Sequence, residues 1–174
     1  MIGFQPSGFS KGSYLNIGAS WLWHPGYEWS FSYVRRAGGF IAFETIEQFK
    51  PEAERFAKLA GAEAMLLDKK FSSLEDIAAY TKKQVGMFWL NQNPWALYHA
   101  AISAGLVGNQ KFGRKCFAAL IAQNTTFDWM AKIQEEAAIL TKLLDEREDF
   151  RRAICKNVAD KRSTLKLPPL GDTF

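Results

Sequence analysis

Between Ser13 and Trp23 the chain alternates. Leu15, Ile17, Ala19, Trp21 and Trp23 fall on one side of an extended backbone, and Tyr14, Asn16, Gly18, Ser20 and Leu22 on the other. A period of two marks a half-buried strand, because successive side chains leave opposite faces of the pleat. His24-Pro25-Gly26 predicts a turn, since proline presets one backbone dihedral and glycine accepts the positive value beside it. Trp29, Phe31 and Tyr33 then alternate with Ser30, Ser32 and Val34, which predicts a second strand. Arg36-Ala37-Gly38-Gly39 predicts another turn, and Phe40 to Glu44 a short third strand. Connections this short favour antiparallel pairing, so a three-stranded meander is expected. Met1 to Lys11, with Gly3, Pro6 and Gly8, is expected as an irregular lead-in. A first strand so near residue 1 leaves room for a longer natural N terminus.

From Lys50 the period becomes helical. Pro51 suits a first helical turn, where its missing N–H costs nothing, and Ala53, Phe56, Ala57, Ala60 and Ala64 form a stripe ending near Leu66-Leu67. Ser73-Leu74-Glu75-Asp76 resembles a capping box with Asp in the Glu position, followed by Leu74, Ile77, Ala78, Thr81, Val85 and Phe88 at helical spacing. Asn93-Pro94 opens a third helix with Trp95, Tyr98, Ala101, Ile102 and Leu106 on its stripe, stopped at Gly108-Asn109. Phe112, Cys116, Phe117, Leu120 and Ile121 make a fourth. Thr125 or Thr126 is expected to cap a longer one carrying Phe127, Met130, Ile133, Ala137, Leu140 and Leu144. Phe150, Ile154 and Val158 continue into a last helix or a bent extension, and Pro168-Pro169 predicts an extended tail. The expected fold class is α+β. Residues 1–46 would hold the meander, 47–164 five or six helices and 165–174 the tail, in a single compact domain.

Trp95-Ala96-Leu97-Tyr98-His99-Ala100-Ala101, then Gly105-Leu106-Val107-Gly108, then Phe112 to Leu120, resembles a tetratricopeptide-type helical hairpin over about residues 94–123. That family sets an aromatic and a small residue on the first helix, a glycine in the turn, and Ala and Phe on the second. One unit cannot form a solenoid, which needs about three to bury a continuous core. The resemblance implies tight hairpin packing and a protein-binding role.

Composition narrows the classes. With 174 residues, 48% hydrophobic and 23% charged, the chain can bury a core without a disulfide or metal. A net charge of +4 is too mild to mark a dedicated nucleic-acid domain. No apolar run approaches the roughly 20 residues that cross a bilayer, and no charged segment with an apolar run opens the chain. No membrane association and a cytoplasmic location are therefore expected. Cys116 and Cys155 fall in helical stripes and read as buried thiols, although Lys115 beside Cys116 would favour a reactive thiolate. Only two histidines occur, His24 and His99, neither with another ligand type at metal spacing, so no metal and no cofactor is expected. Glu135-Glu136 and Asp145 to Asp149, mixed with Lys142, Arg147, Arg151 and Arg152, describe a solvated helix face.

The candidate binding residues are Trp21, Trp23, Trp29, Tyr33, Arg35 and Arg36 on the sheet, with Trp95, Tyr98 and His99 on the third helix. The sheet rings read first as core under the helices. They also suit a protein hot spot, where Trp, Tyr and Arg are enriched, or a stacking surface for bases with the arginines on phosphate. His99 beside Tyr98 reads as a hydrogen-bonded core histidine or, with a helical carboxylate, as a general base in a cleft. The leading expectation is a non-enzymatic protein-interaction module of immunity, adaptor or regulatory type. It would bind through the concave side of its helical hairpins or an open sheet edge. A nucleic-acid binder using Arg35 and Arg36 is the alternative, and a small enzyme around His99 the third.

Overall fold

The structure, a computed structural model, describes residues 2–6, 11–24, 31–87, 91–125 and 127–169, with backbone alone for 2–6. The class is α+β: an antiparallel sheet followed by six helices among the described residues. The sheet runs β1 (Ile2–Pro6), β2 (Gly12–Ala19) and β3 (Tyr33–Ala42), in that spatial order. The helices are α1 (Ile46–Lys70), α2 (Leu74–Val85), α3 (Pro94–Leu106), α4 (Gln110–Ile121), α5 (Asp128–Leu143) and α6 (Arg147–Thr164). The chain divides into two compact units. One contains residues 1–21 and 29–72, the other 22–28 and 73–174.

The strands are not the three expected. Residues 2–6, read as an irregular lead-in, pair with β2 from Ile2↔Ile17 to Pro6↔Ser13. β2 stops at Ala19, so Trp21 and Trp23 lie beyond it rather than on its face. The turn expected at residues 36–39 does not form, and β3 runs straight through it. Ser13 faces Ile41 and Leu15 faces Ala37, so β3 advances four residues while β2 advances two. The surplus is absorbed as a bulge. Gly38 makes this possible. Its φ is 72°, and a Cβ there would fall 2.6 Å from the Phe56 ring. A glycine pair signals positive φ equally for a turn and for a bulge, and Phe56 packing against Gly38 selects the bulge.

In the first unit Leu15, Ile17, Ala37 and Ile41 are buried with Phe56 and Ala60 of α1, and Phe49, Leu59 and Leu67 pack beside them. α1 starts at Ile46, ahead of the expected Pro51. The Thr45 hydroxyl accepts from the Gln48 N–H at 3.1 Å, and the Gln48 carboxamide donates to the Ala42 carbonyl at 3.1 Å. This cap fixes the helix early and leaves Pro51 inside it, where one backbone bond is lost. Burial of Phe56 and Ala60 offsets that loss.

In the second unit α3 is buried continuously from Leu97 to Leu106, with α2, α4, α5 and α6 all packed against it. An apolar circumference rather than a stripe is what a central helix requires. Two polar groups inside are paired: Thr81 Oγ1 and Ser103 Oγ lie 2.7 Å apart. Gly105 lets α6 approach closely, since a Cβ there would meet the Phe150 ring at 2.5 Å. The capping box at Ser73 forms in shortened fashion. Ser73 Oγ accepts from the Asp76 N–H and donates to the Asp76 carboxylate at 2.7 Å. No described helix is long and apolar enough to cross a membrane.

A candidate binding cleft at the start of α3

Asn93 caps α3 through its side-chain oxygen, 3.0 Å from the Ala96 nitrogen, and Pro94 occupies the first helical position. Trp95 is thereby fixed on the first turn. Across from it, the segment between α4 and α5 is held by side chains. Gln123 Nε2 donates to the Gln92 carbonyl at 2.6 Å, and Gln134 Nε2 donates to the Leu120 and Gln123 carbonyls at 3.0 and 2.9 Å. Thr125 Oγ1 donates to Gln134 Oε1 at 2.5 Å. These bonds bring Phe127 and Trp129, at the entry to α5, beside Trp95.

The rings form a series. His24 stacks on Trp95 at 4.0 Å, Trp95 on Trp129 at 5.3 Å and 12°, and Trp129 on Phe127 at 6.1 Å and 10°. Trp129 is 40% exposed and Phe127 61%. Phe127, expected on the α5 core stripe, faces outward because it precedes the helix as its N-cap residue. Trp95, Trp129 and Phe127, but not His24, border an open cleft of about 890 Å³, whose other walls include Asn91, Gln92, Gln123, Asn124, Ala119 and Met130. None of its described lining residues is ionisable. The cleft can offer aromatic surface and carboxamide groups. Its described residues offer neither a charge nor a proton-transfer group.

Tyr98 and His99 lie deeper in the same unit. Trp23 Nε1 donates to His99 Nδ1 at 3.2 Å, so the imidazole is a neutral acceptor. Burial, and then the neighbouring His24, lowers its pKa from the ordinary 6.5 to about 3. The Tyr98 hydroxyl lies 3.5 Å from the Trp23 carbonyl and hydrogen-bonds Glu136. Burial pushes the Tyr98 pKa well up, with the Glu136 charge adding to it. Glu136, expected on a solvated face, is half-buried. Desolvation raises its pKa, and hydrogen bonds from Tyr98 and Asn157 pull it back. A histidine, a tyrosine and a helical carboxylate are thus neighbours, as a catalytic reading requires. Tyr98 is fully buried and His99 6% exposed, while Glu136 is half-buried, so the imidazole and the phenol are the closed end of this polar network.

The described sheet candidates are divided between the two units. Trp21 is buried in the first unit, edge-on to Phe71 at 5.0 Å, while Trp23 is buried in the second. Trp29 lies outside the described residues. Tyr33 is half-buried against Phe71, with Lys70 Nζ 4.5 Å from its ring centre. Arg35 pairs with Glu63 at 3.1 Å, and the Arg36 guanidinium sits 3.9 Å over the Tyr14 ring. Both arginines are exposed, but each is committed to a neighbour in its own unit. Burial also raises the Cys116 thiol to about 11, which keeps it protonated despite Lys115. Among the described residues no cluster of three or more His, Cys, Asp or Glu could hold a metal ion.

Of the described residues proposed from the sequence as binding candidates, Trp95 alone lines the cleft. Asn91, Gln92, Gln123, Asn124, Phe127 and Trp129 were missed. The available signal was the carboxamide runs Asn91-Gln92-Asn93 and Gln123-Asn124 at helix ends, each close in sequence to an aromatic residue. The helical hairpin α3–α4 is present, with the three-residue connection Val107 to Asn109 and Gly108 at φ 83°. Its first helix is covered on every side, so the hairpin keeps no open concave face along α3. Comparison with protein families, with curated proteins and with solved structures finds no match to this chain.

Proposed function

We propose that this chain is a non-enzymatic interaction module that receives an uncharged, extended segment of a partner protein in the cleft bordered by Trp95, Trp129 and Phe127. One observation carries this reading: large exposed aromatic rings share a cleft with carboxamides, and none of its described lining residues is ionisable. Aromatic side chains supply most of the energy of protein hot spots, and carboxamides match the donors and acceptors of a peptide backbone. Among the described residues the wall has no candidate nucleophile, general base or phosphate-binding cation, which favours binding over chemistry and over nucleic acid. Adaptor, immunity or regulatory roles all use such a module.

The test is selection of peptides from a random display library on the immobilised protein, in parallel with Trp129→Ala. Enrichment of an uncharged consensus on the wild type, lost on the variant, is expected. Failure to enrich any sequence, or enrichment indifferent to Trp129, would refute the reading.

A further inference from the structure

Resting on that reading, we propose that the segment the cleft receives is proline-rich and bound as a polyproline II helix. Three features select it. First, the charge is matched by absence. In a chain with 23% charged residues, the described wall of this cleft carries none, so acidic and basic segments gain nothing there and lose hydration on entry. A run of prolines brings no charge to desolvate.

Second, the rings form a staircase. Stacked rings in contact are separated by about 3.5–4 Å. Centroid spacings of 5.3 and 6.1 Å at 12° and 10° therefore mean that each ring is slipped sideways on the next, leaving part of its face uncovered. The uncovered steps on Trp129 and Phe127 are flat, rigid and apolar, the surface on which prolyl rings pack in aromatic-lined grooves. Trp95 stacks with both His24 and Trp129, so the floor of the staircase is preformed.

Third, the hydrogen-bonding groups fit. A polyproline II backbone has no internal hydrogen bonds, and a prolyl run has carbonyl acceptors but no N–H. It asks for donors alone. Asn91, Gln92 and Asn124 are exposed at the cleft and can each present a carboxamide NH2. Gln123 does not take part. Its Nε2 is tied to the Gln92 carbonyl, and its Oε1 is buried away from the surface with no hydrogen-bond partner. A ligand that is already extended when free also loses little conformational freedom on docking.

The experiment is calorimetric titration of the full chain with a blocked decaproline peptide, a length-matched Gly-Ser peptide and maltoheptaose, repeated on Trp129→Ala and Phe127→Ala. Both side chains are exposed, and circular dichroism would verify that each variant keeps its fold. Saturable binding of decaproline, weakened about tenfold or more by each variant, is the expected result. Binding of the Gly-Ser peptide as tightly as decaproline would overturn the proline inference and leave the module standing. The same holds if decaproline shows no saturation up to about 1 mM while the display selection still yields a Trp129-dependent consensus. Trp129-dependent binding of maltoheptaose alone would overturn both, since the cleft would then be a sugar site. Decaproline binding indifferent to both variants would place the ligand elsewhere and overturn the inference.

Discussion

His99 shows how a single buried residue ties stability to pH. Its folded pKa of about 3 lies below the ordinary 6.5, so between these values the unfolded chain binds a proton that the folded chain refuses. The contribution of neutral His99 is complete above about pH 6.5 and is lost as pH falls toward 3. The second unit should therefore melt at progressively lower temperature through that window. His99→Asn keeps an acceptor near the Nδ1 position but cannot titrate, so its melting temperature, followed by circular dichroism from pH 7 to 4, should fall less steeply. An equal slope in both proteins would show that His24 or another group controls the acid response. Glu136 makes a companion case. Glu136→Ala leaves Tyr98 and Asn157 without their shared partner and should cost about 1–3 kcal/mol in chemical denaturation. Glu136→Gln can keep both contacts and should cost less. That His99 is a core histidine was one reading of its sequence. Its donor was not legible, because Trp23 lies 76 residues away and was read as a strand residue.

At the scale of elements, glycines separate packing from propensity. A Cβ at Gly61 in α1 meets nothing within 4 Å, so Gly61→Ala should stabilise by about 0.5–1 kcal/mol through helix propensity. Gly105→Ala gains the same propensity but drives its methyl to 2.5 Å from Phe150 and 2.9 Å from Leu144, both fully buried. Overpacking of about 1–3 kcal/mol should win, and denaturant midpoints of the two variants should move in opposite directions. Gly38→Ala combines a positive φ with a clash against Phe56 and should destabilise the sheet unit by about 2 kcal/mol or more. The helices from α2 onward were largely legible, because Ser73, Asn93 and Gly108 punctuate strong apolar patterns. The strands were not. Alternation continues past Ala19 into Trp21 and Trp23, and nothing local distinguishes the end of β2 from its continuation. The cleft was illegible for a related reason: its walls come from three helix ends and the residues connecting them, where periodicity carries no information.

For the whole molecule, the division into units cuts across chain order. Residues 22–24 belong with the helices, although strands of the other unit flank them in sequence. Trp23 is 3% exposed and donates to His99, so the helical unit is incomplete without it. A fragment of residues 73–174 lacks that indole and leaves a buried acceptor unpaired. It should be less stable than the same unit in the full chain by about 3–5 kcal/mol, the usual cost of removing a core tryptophan. Comparing its near-ultraviolet circular dichroism and denaturant midpoint with those of the full protein checks this. A fragment as stable as the intact chain would show that residues 22–24 are dispensable. The α+β class and the helical content could be read in the sequence, whereas this crossing could not, since it depends on contacts between residues more than seventy positions apart.

The crossing also imposes an order of events on biosynthesis. A ribosome releases about 5–20 residues per second, so the 76 positions between Trp23 and His99 represent roughly 4–15 s of elongation. Throughout that interval the indole has emerged while the helix that will cover it has not. Trp23 is made early and covered late, so nascent chains should present this indole to holdases until α3 has left the exit tunnel.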